Sequence, residues 1–401
     1  MTRTRARRPR RAGVMTAVLS TAAVSAATLP AHAAPPQGRI LGAGAPGSVT
    51  GSYLVTLEEG TRARSAAGRD LAERYGVTIS HTYGTVLNGY AVRADAGRAG
   101  RLAADPRVAS VVQDTRVTSD RTRRDPPSRG LDRIDRRSRP PDGRHDGPES
   151  AGAGVTVYVI DTGVRISHED FAGRARHGWD FVQDDRTAQD GDGHGTHVAA
   201  IAAGTSYGVA TKARIVSVRV LDDTGSGTTA QVIAGIDWVT RNARRPAVAN
   251  LSLGGPYNGR LNAAVRTSVA SGVTYTVAAG NGGRPAALYS PASVRQAITV
   301  GATDRQGKKP AFSNHGSALD LFAPGVSITS ASAADDFGRA TRSGTSTASP
   351  HAAGAAALYL AEHRRATPAQ VAKALVEGAT SGKVSGRGLG SPNRLLRVPH
   401  P

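Results

Sequence analysis

Cysteine is absent from this 401-residue chain, which excludes disulfide staples and thiolate chemistry. Stability must then come from a large core, with room for a bound ion. Aromatic residues amount to 4%, and no basic run is interleaved with rings on which bases would stack. Nucleic-acid binding is set aside on that ground despite a formal net charge of +20. The arginines read instead as solvated surface, with a basic linker over 121–144. No segment after the leader reaches the roughly 18 apolar residues of a membrane span, so the exported product is expected to be soluble.

The leader is the first 33 residues. Arginines crowd positions 3–11, a small-residue apolar stretch covers 12–29, and Ala31-His32-Ala33 supplies small residues for cleavage. That pattern is a secretory signal peptide, and its paired arginines leave both general and twin-arginine export open. Removing its six arginines, which no acid offsets, lowers the net charge from +20 to +14. The expected product is a secreted, extracellular monomer.

Residues 34–51 are rich in Pro, Gly and Ala and read as a disordered spacer. Over 52–114 the pattern runs strand (52–57), helix (61–75), two strands (77–83 and 87–92), helix (97–104) and strand (108–112). This β-α-β-β-α-β order is the ferredoxin-like split unit, a small α+β domain. Residues 115–150 are charged and Pro-rich, a basic linker leading into the following domain. Over 151–397 continuous apolar runs at 155–160, 215–220, 247–253, 273–278 and 297–301 alternate with helical stretches such as 228–242 and 261–271. That predicts an α/β domain with a doubly wound, mostly parallel sheet, followed by a short tail at 398–401.

In such sheets, sites form beyond the carboxyl ends of the strands. Asp161 closes the first apolar run, as either a turn former or a functional carboxylate. The run Asp190-Gly191-Asp192-Gly193-His194-Gly195-Thr196-His197 gives way abruptly to a helical pattern, which puts His194 at a helix entrance. Zinc fits poorly, because His194 and His197 are spaced i, i+3 rather than i, i+4 with an acid between them. An EF-hand calcium loop also fails, because Ile201 stands where the twelfth-position Glu is needed. In Gly344-Thr345-Ser346-Thr347-Ala348-Ser349-Pro350, Pro350 is tolerable only in a first helical turn, so a helix starts near Ser346. Alone, that segment reads as a Ser/Thr-rich N-cap. It also suits a nucleophile beside unpaired backbone N–H groups at the positive end of a helix dipole.

The segments 159–163, 194–199 and 344–346 resemble the three signature segments of the subtilisin-like serine proteases, in the order Asp, His, Ser. Segments 220–227 and 289–293 look closest to the proteinase K branch, and 52–114 resembles that family's I9-type inhibitor propeptide. The resemblance implies a catalytic triad of Asp161, His194 and Ser346, with the Asn281 side chain and the Ser346 N–H as oxyanion hole. It makes Gly225, Ser226, Gly227, Ser252, Leu253 and Gly254 the edges of a peptide cleft, and has Ala278, Ala279 and Gly280 line a pocket roomy enough for a bulky apolar or aromatic side chain. Catalysis then needs no cofactor. A structural calcium ion would use Asp320 with the carbonyls of Arg295 and Ala297. Substrates would be proteins and peptides, and the propeptide would inhibit in cis until self-cleavage between 114 and 125. Three positions depart from the pattern: Thr347 replaces the usual Met, Ala200 the usual Gly, and Arg129 a common Trp. Two rival readings are a non-catalytic binding relative and a metal hydrolase using His194 and His197.

Overall fold

Two sheets organise the computed structural model, which describes residues 37–119, 134 and 148–398. The first 36 residues, with the signal peptide, lie outside the described residues, as do Arg129 and most of the linker.

The N-terminal portion contains β1 (Ile40–Leu41), β2 (Ser48–Leu57), α1 (Ala66–Arg74), β3 (Thr78–Thr82), β4 (Gly89–Arg93), α2 (Ala96–Ala103) and β5 (Val108–Ser119). Its sheet runs β5-β2-β4-β3, with β2 antiparallel to both neighbours. The two-residue period of β2 divides its side chains between two cores. Tyr53, Val55 and Leu57 pack with Leu71 and Leu102 of the domain's own helices, while Leu54 joins the core of the following domain. Ser65 and Asp95 cap the two helices by accepting from Gly68 N and Arg98 N, which is why α1 begins five residues later than the periodicity predicted.

Three boundary expectations are corrected. The 34–51 spacer is not structureless where described: Ile40 and Leu41 pair in parallel with Val111 and Val112, and β2 starts at Ser48. The last strand of the small domain does not stop at 112, nor the domain at 114. β5 continues to Ser119, because its final residues find partners in the next domain. The tail does not begin at 398: Val398 is buried and donates its N–H to Ile134 O at 2.7 Å.

The larger portion contains β6 (Thr156–Asp161), β7 (Ala175–Asp180), α3 (His194–Ala203), β8 (Arg214–Arg219), β9 (Ser226–Thr228), α4 (Thr229–Asn242), β10 (Ala247–Leu251), β11 (Leu253–Pro256), α5 (Gly259–Ala270) and β12 (Thr274–Ala278). It continues with β13 (Tyr289–Ser290), β14 (Ile298–Thr303), β15 (Leu321–Pro324), β16 (Ile328–Ala331), β17 (Arg339–Arg342), α6 (Thr345–Glu362), α7 (Pro368–Gly378), β18 (Thr380–Ser381) and β19 (Arg394–Leu395). The central sheet runs β18-β19-β15-β14-β12-β10-β6-β8-β7 and is parallel throughout except for the β18–β19 pair. Both faces are covered, as the continuous apolar runs required. Val157 and Val159 of β6 face the core shared with α3 and α6, and Tyr158 and Ile160 face the core shared with α4 and α5. Ala200, where a glycine was expected, fits fully buried in the first of these cores.

Candidate active site

β12, β10 and β6 lie side by side and point the same way, so their carboxyl ends share one edge. Asp161 is the last residue of β6, Ser252 follows β10, and Asn281 lies three residues past β12. His194 is the first residue of α3, preceded by Gly193 at φ 91°, a left-handed conformation that suits glycine. Ser346 is the second residue of α6, and α3 packs against α6.

His194 Nδ1 lies 2.7 Å from Asp161 Oδ1, with His194 1% and Asp161 0% exposed. The same oxygen accepts from Thr162 N at 2.8 Å. A carboxylate only accepts, so Nδ1 carries a proton and donates it to Asp161. His194 Nε2 is buried without a hydrogen-bond partner among the described residues.

The amide of Asn281 is oriented just as firmly. Thr345 N and Thr345 Oγ1 donate to its Oδ1 at 2.9 and 3.0 Å, which turns Nδ2 the other way. Nδ2 is buried and unpartnered among the described residues. Gly280, at φ +102°, could not carry a side chain, because a Cβ there would collide with Asn314 Nδ2. Asn314 Nδ2 in turn donates to Ala279 O at 2.8 Å, fixing the turn between β12 and Asn281.

Gly225 lies in the turn before β9, Ser226 and Gly227 lie in β9, and Leu253 and Gly254 begin β11. The chain's own Arg116–Ser119 run occupies the space between these two strands. Arg116, Val117 and Thr118 pair with Thr228, Gly227 and Ser226, while Thr118 and Ser119 pair with Gly254 and Leu253. Ser119 N also donates to Gly225 O at 2.8 Å. A peptide is thus held by main-chain pairing on both sides, with the Val117 side chain buried in the core that includes Leu221 and Leu253.

Several contributors escaped the sequence reading. Asp190, weighed there only for an EF-hand loop that failed, organises the turn before α3. Its Oδ1 accepts from Thr162 Oγ1, Asp192 N and Gly193 N at 2.8, 3.0 and 2.7 Å, and its Oδ2 from Thr196 N and Oγ1 at 2.8 and 2.5 Å. Asp237, 1% exposed on α4, holds the small domain: Oδ1 accepts from Gly84, Thr85 and Val86 N at 3.3, 2.7 and 3.0 Å. Asp114 answers from the other side, accepting from Ala230 N in the first turn of α4 at 3.1 Å, and burial raises its pKa. The available signal was a lone acid within an apolar helical stretch, but nothing in the spacing named its partner.

His197 is engaged by backbone carbonyls. Its Nε2 donates to Ile328 O and Ala340 O at 3.1 and 3.2 Å, and burial pushes its pKa down to about 3, so it is neutral. No group of three or more His, Cys, Asp or Glu side chains gathers among the described residues. Thr347 is buried, with Oγ1 donating to Gly344 O at 2.9 Å. Asp320 closes the loop before β15: Oδ2 accepts from Thr299 N at 2.8 Å, and burial pushes its pKa up to about 6. A carboxylate is a hard oxygen donor, which suits calcium better than a transition metal.

Comparison with known proteins gives the family. The subtilase family (peptidase S8) model matches residues 152–394, and the peptidase inhibitor I9 model matches residues 52–120. The extracellular serine proteinase of Thermus sp. (strain Rt41A) is 49% identical over 324 residues, covering 81% of this chain and 78% of that protein. A cuticle-degrading serine protease of Arthrobotrys oligospora is 42% identical over 380 residues, covering 89% of this chain and 92% of its own. The crystal structure of a cold-adapted subtilisin-like serine proteinase matches with a TM-score of 0.66 and 48% identity, covering 69% of this chain and 100% of that one. Sheet, site and relatives together define a serine endopeptidase of the subtilisin type, preceded by an inhibitor domain. The chain belongs to the subtilase family.

Proposed function

We propose that the protein is a secreted, self-processing endopeptidase that works through Asp161, His194 and Ser346. The observation carrying this reading is the buried 2.7 Å pair of Asp161 and His194, which leaves Nε2 unpartnered among the described residues. Ser346 Oγ attacks the scissile carbonyl while its proton passes to His194 Nε2. Asp161 keeps its charge and stabilises the imidazolium. The oxyanion is met by Asn281 Nδ2 and the Ser346 N–H. The C–N bond then breaks as His194 returns the proton to the leaving amine, and water releases the acyl group by the same steps. Replacement of Ser346 by Ala tests this: the precursor is expected to accumulate uncut. Normal maturation of that variant, with no other protease present, would overturn the reading.

Export by the N-terminal leader accords with the names of the extracellular relatives. The small domain acts as inhibitor in cis, supported by residues 116–119 lying between β9 and β11. Cleavage then falls after the seated residues, before 125. The pocket walled by Ala278, Ala279 and Gly280 accepts bulky apolar or aromatic side chains, giving broad specificity, and the mature protein is a monomer. A structural calcium ion would be held by Asp320 with the carbonyls of Arg295 and Ala297, neutralising a buried carboxylate and tying β14 to β15. Catalysis does not use it.

A further inference from the structure

One buried polar network beside the site has no part in the mechanism above. In an unbroken helix the carbonyl of Ser346 would accept from the N–H of residue 350. Residue 350 is proline, inside α6, and proline has no N–H to give. Ser252 supplies the missing donor: its hydroxyl lies 2.7 Å from Ser346 O. Behind it, Asn250 Nδ2 donates to Ser252 Oγ at 2.9 Å. Ser349 Oγ and Thr276 Oγ1 donate to Asn250 Oδ1 at 2.7 and 3.0 Å. Asn250, Ser252, Thr276 and Ser349 are each 0% exposed.

The direction of these bonds is forced. A carbonyl only accepts, so the Ser252 proton goes to Ser346 and its lone pair must take a proton from Asn250. That fixes Nδ2 toward Ser252 and Oδ1 toward the two remaining hydroxyls. Asn250 thus grips α6 twice, directly at Ser349 and through Ser252 at Ser346. On the other flank, Thr345 N is held by Asn281. The peptide group that follows the Ser346 Cα is therefore pinned directly, and the chain before it is pinned one peptide group further upstream, at Thr345 N. Ser252 also immediately precedes β11, the strand that pairs with the seated peptide. One hydroxyl joins the nucleophile's backbone to the strand that docks substrate.

We propose that Asn250 is a positioning residue for the acyl-transfer step, holding Ser346 at attacking distance from a docked peptide by way of the Ser252 hydroxyl. This rests on Ser346 being the nucleophile. A misplacement of about 1 Å in such a site costs about 10²-fold in rate, whereas peptide pairing along β9 and β11 does not involve the network. Its loss is therefore felt in kcat and not in KM.

The test is steady-state hydrolysis of a single peptide substrate by purified, processed variants, matured in trans by tagged wild-type protein that is then removed. Ser252→Ala and Asn250→Ala are each expected to lower kcat about 10–100-fold with KM within about twofold. The double variant should be no slower than the slower single one, because both cut the same chain. Ser252→Thr, which keeps the hydroxyl, should recover most of the loss. Thr276→Val removes one bond to Asn250 without breaking the chain, and should lower thermal stability while changing kcat less than threefold or so. Unchanged kcat in Ser252→Ala, losses that multiply in the double variant, or an effect confined to KM would each overturn the proposal. If Asn250→Ala fails to fold, the Ser252 pair decides. Ser346→Ala in the same assay separates the two readings. If it is active, the nucleophile assignment fails; if it is inactive while Ser252→Ala is fully active, only the positioning role fails.

Discussion

Two asparagines stand at the ends of neighbouring parallel strands and are treated in opposite ways. Asn250, in β10, has its oxygen and its amide nitrogen engaged by hydroxyl groups within the fold. Asn281, just past β12, has its oxygen held by Thr345 and its nitrogen buried without a partner among the described residues. Leaving a buried donor unsatisfied costs on the order of 1–3 kcal/mol, a cost that a bound oxyanion would recover. Under the proposed mechanism, the satisfied asparagine holds backbone in place and the unsatisfied one meets the charge that appears during reaction.

The comparison can be broken most decisively at the serine both residues serve. Ser346→Ala should reduce peptide hydrolysis by about 10⁵–10⁶-fold, a scale known for nucleophile loss in this enzyme class rather than calculated from the geometry. Turnover of a peptide substrate by the processed protein checks it. Next comes the unsatisfied donor: Asn281→Ala should lower kcat about 10²–10³-fold with little change in KM, again the scale known for such donors in this family. A similar loss in KM alone would make Asn281 a substrate-binding group. Asp237, satisfied across the interface between the two domains, sharpens the contrast. Asp237→Ala should cost the precursor about 1.5–3 kcal/mol in chemical denaturation while leaving the kcat of processed enzyme unchanged.

The smallest effect concerns a buried orphan that is not aimed at substrate. His197 Nδ1 is also unpartnered among the described residues, yet its pKa is depressed to about 3. A histidine whose folded pKa is lowered contributes stability that is full above its ordinary value of about 6.5 and is lost as pH falls toward about 3. Thermal midpoints measured across that window should fall less steeply in His197→Gln, with the pH profile of kcat unaltered between about 7 and 9. A changed kcat profile would place His197 in the chemistry.

Much of the site was legible because its parts are local. Asp161 at a strand end, His194 at a helix entrance and Ser346 before Pro350 are each fixed by a few neighbouring residues, and the order of small-domain elements followed from periodicity. What was not legible is pairing at a distance. The extension of β5 to Ser119 depends on open edges at β9 and β11, more than 100 residues away, and nothing in the composition of 115–119 announces it. Asn250 sat in plain view as the one polar residue of an apolar strand, but its three hydroxyl partners come together only once α6 and β12 are packed beside it. Pro350 was read as a helix-start signal. It lies deeper in the helix than that, and its missing N–H is what gives Ser252 its place.

The most direct test of the central claim is a mapping experiment. The processed protein would be treated with a serine-directed fluorophosphonate, digested and sequenced by mass spectrometry. A single adduct on Ser346, absent from Ser346→Ala, is the expected result. No adduct, or an adduct that survives that substitution on another residue, would contradict it.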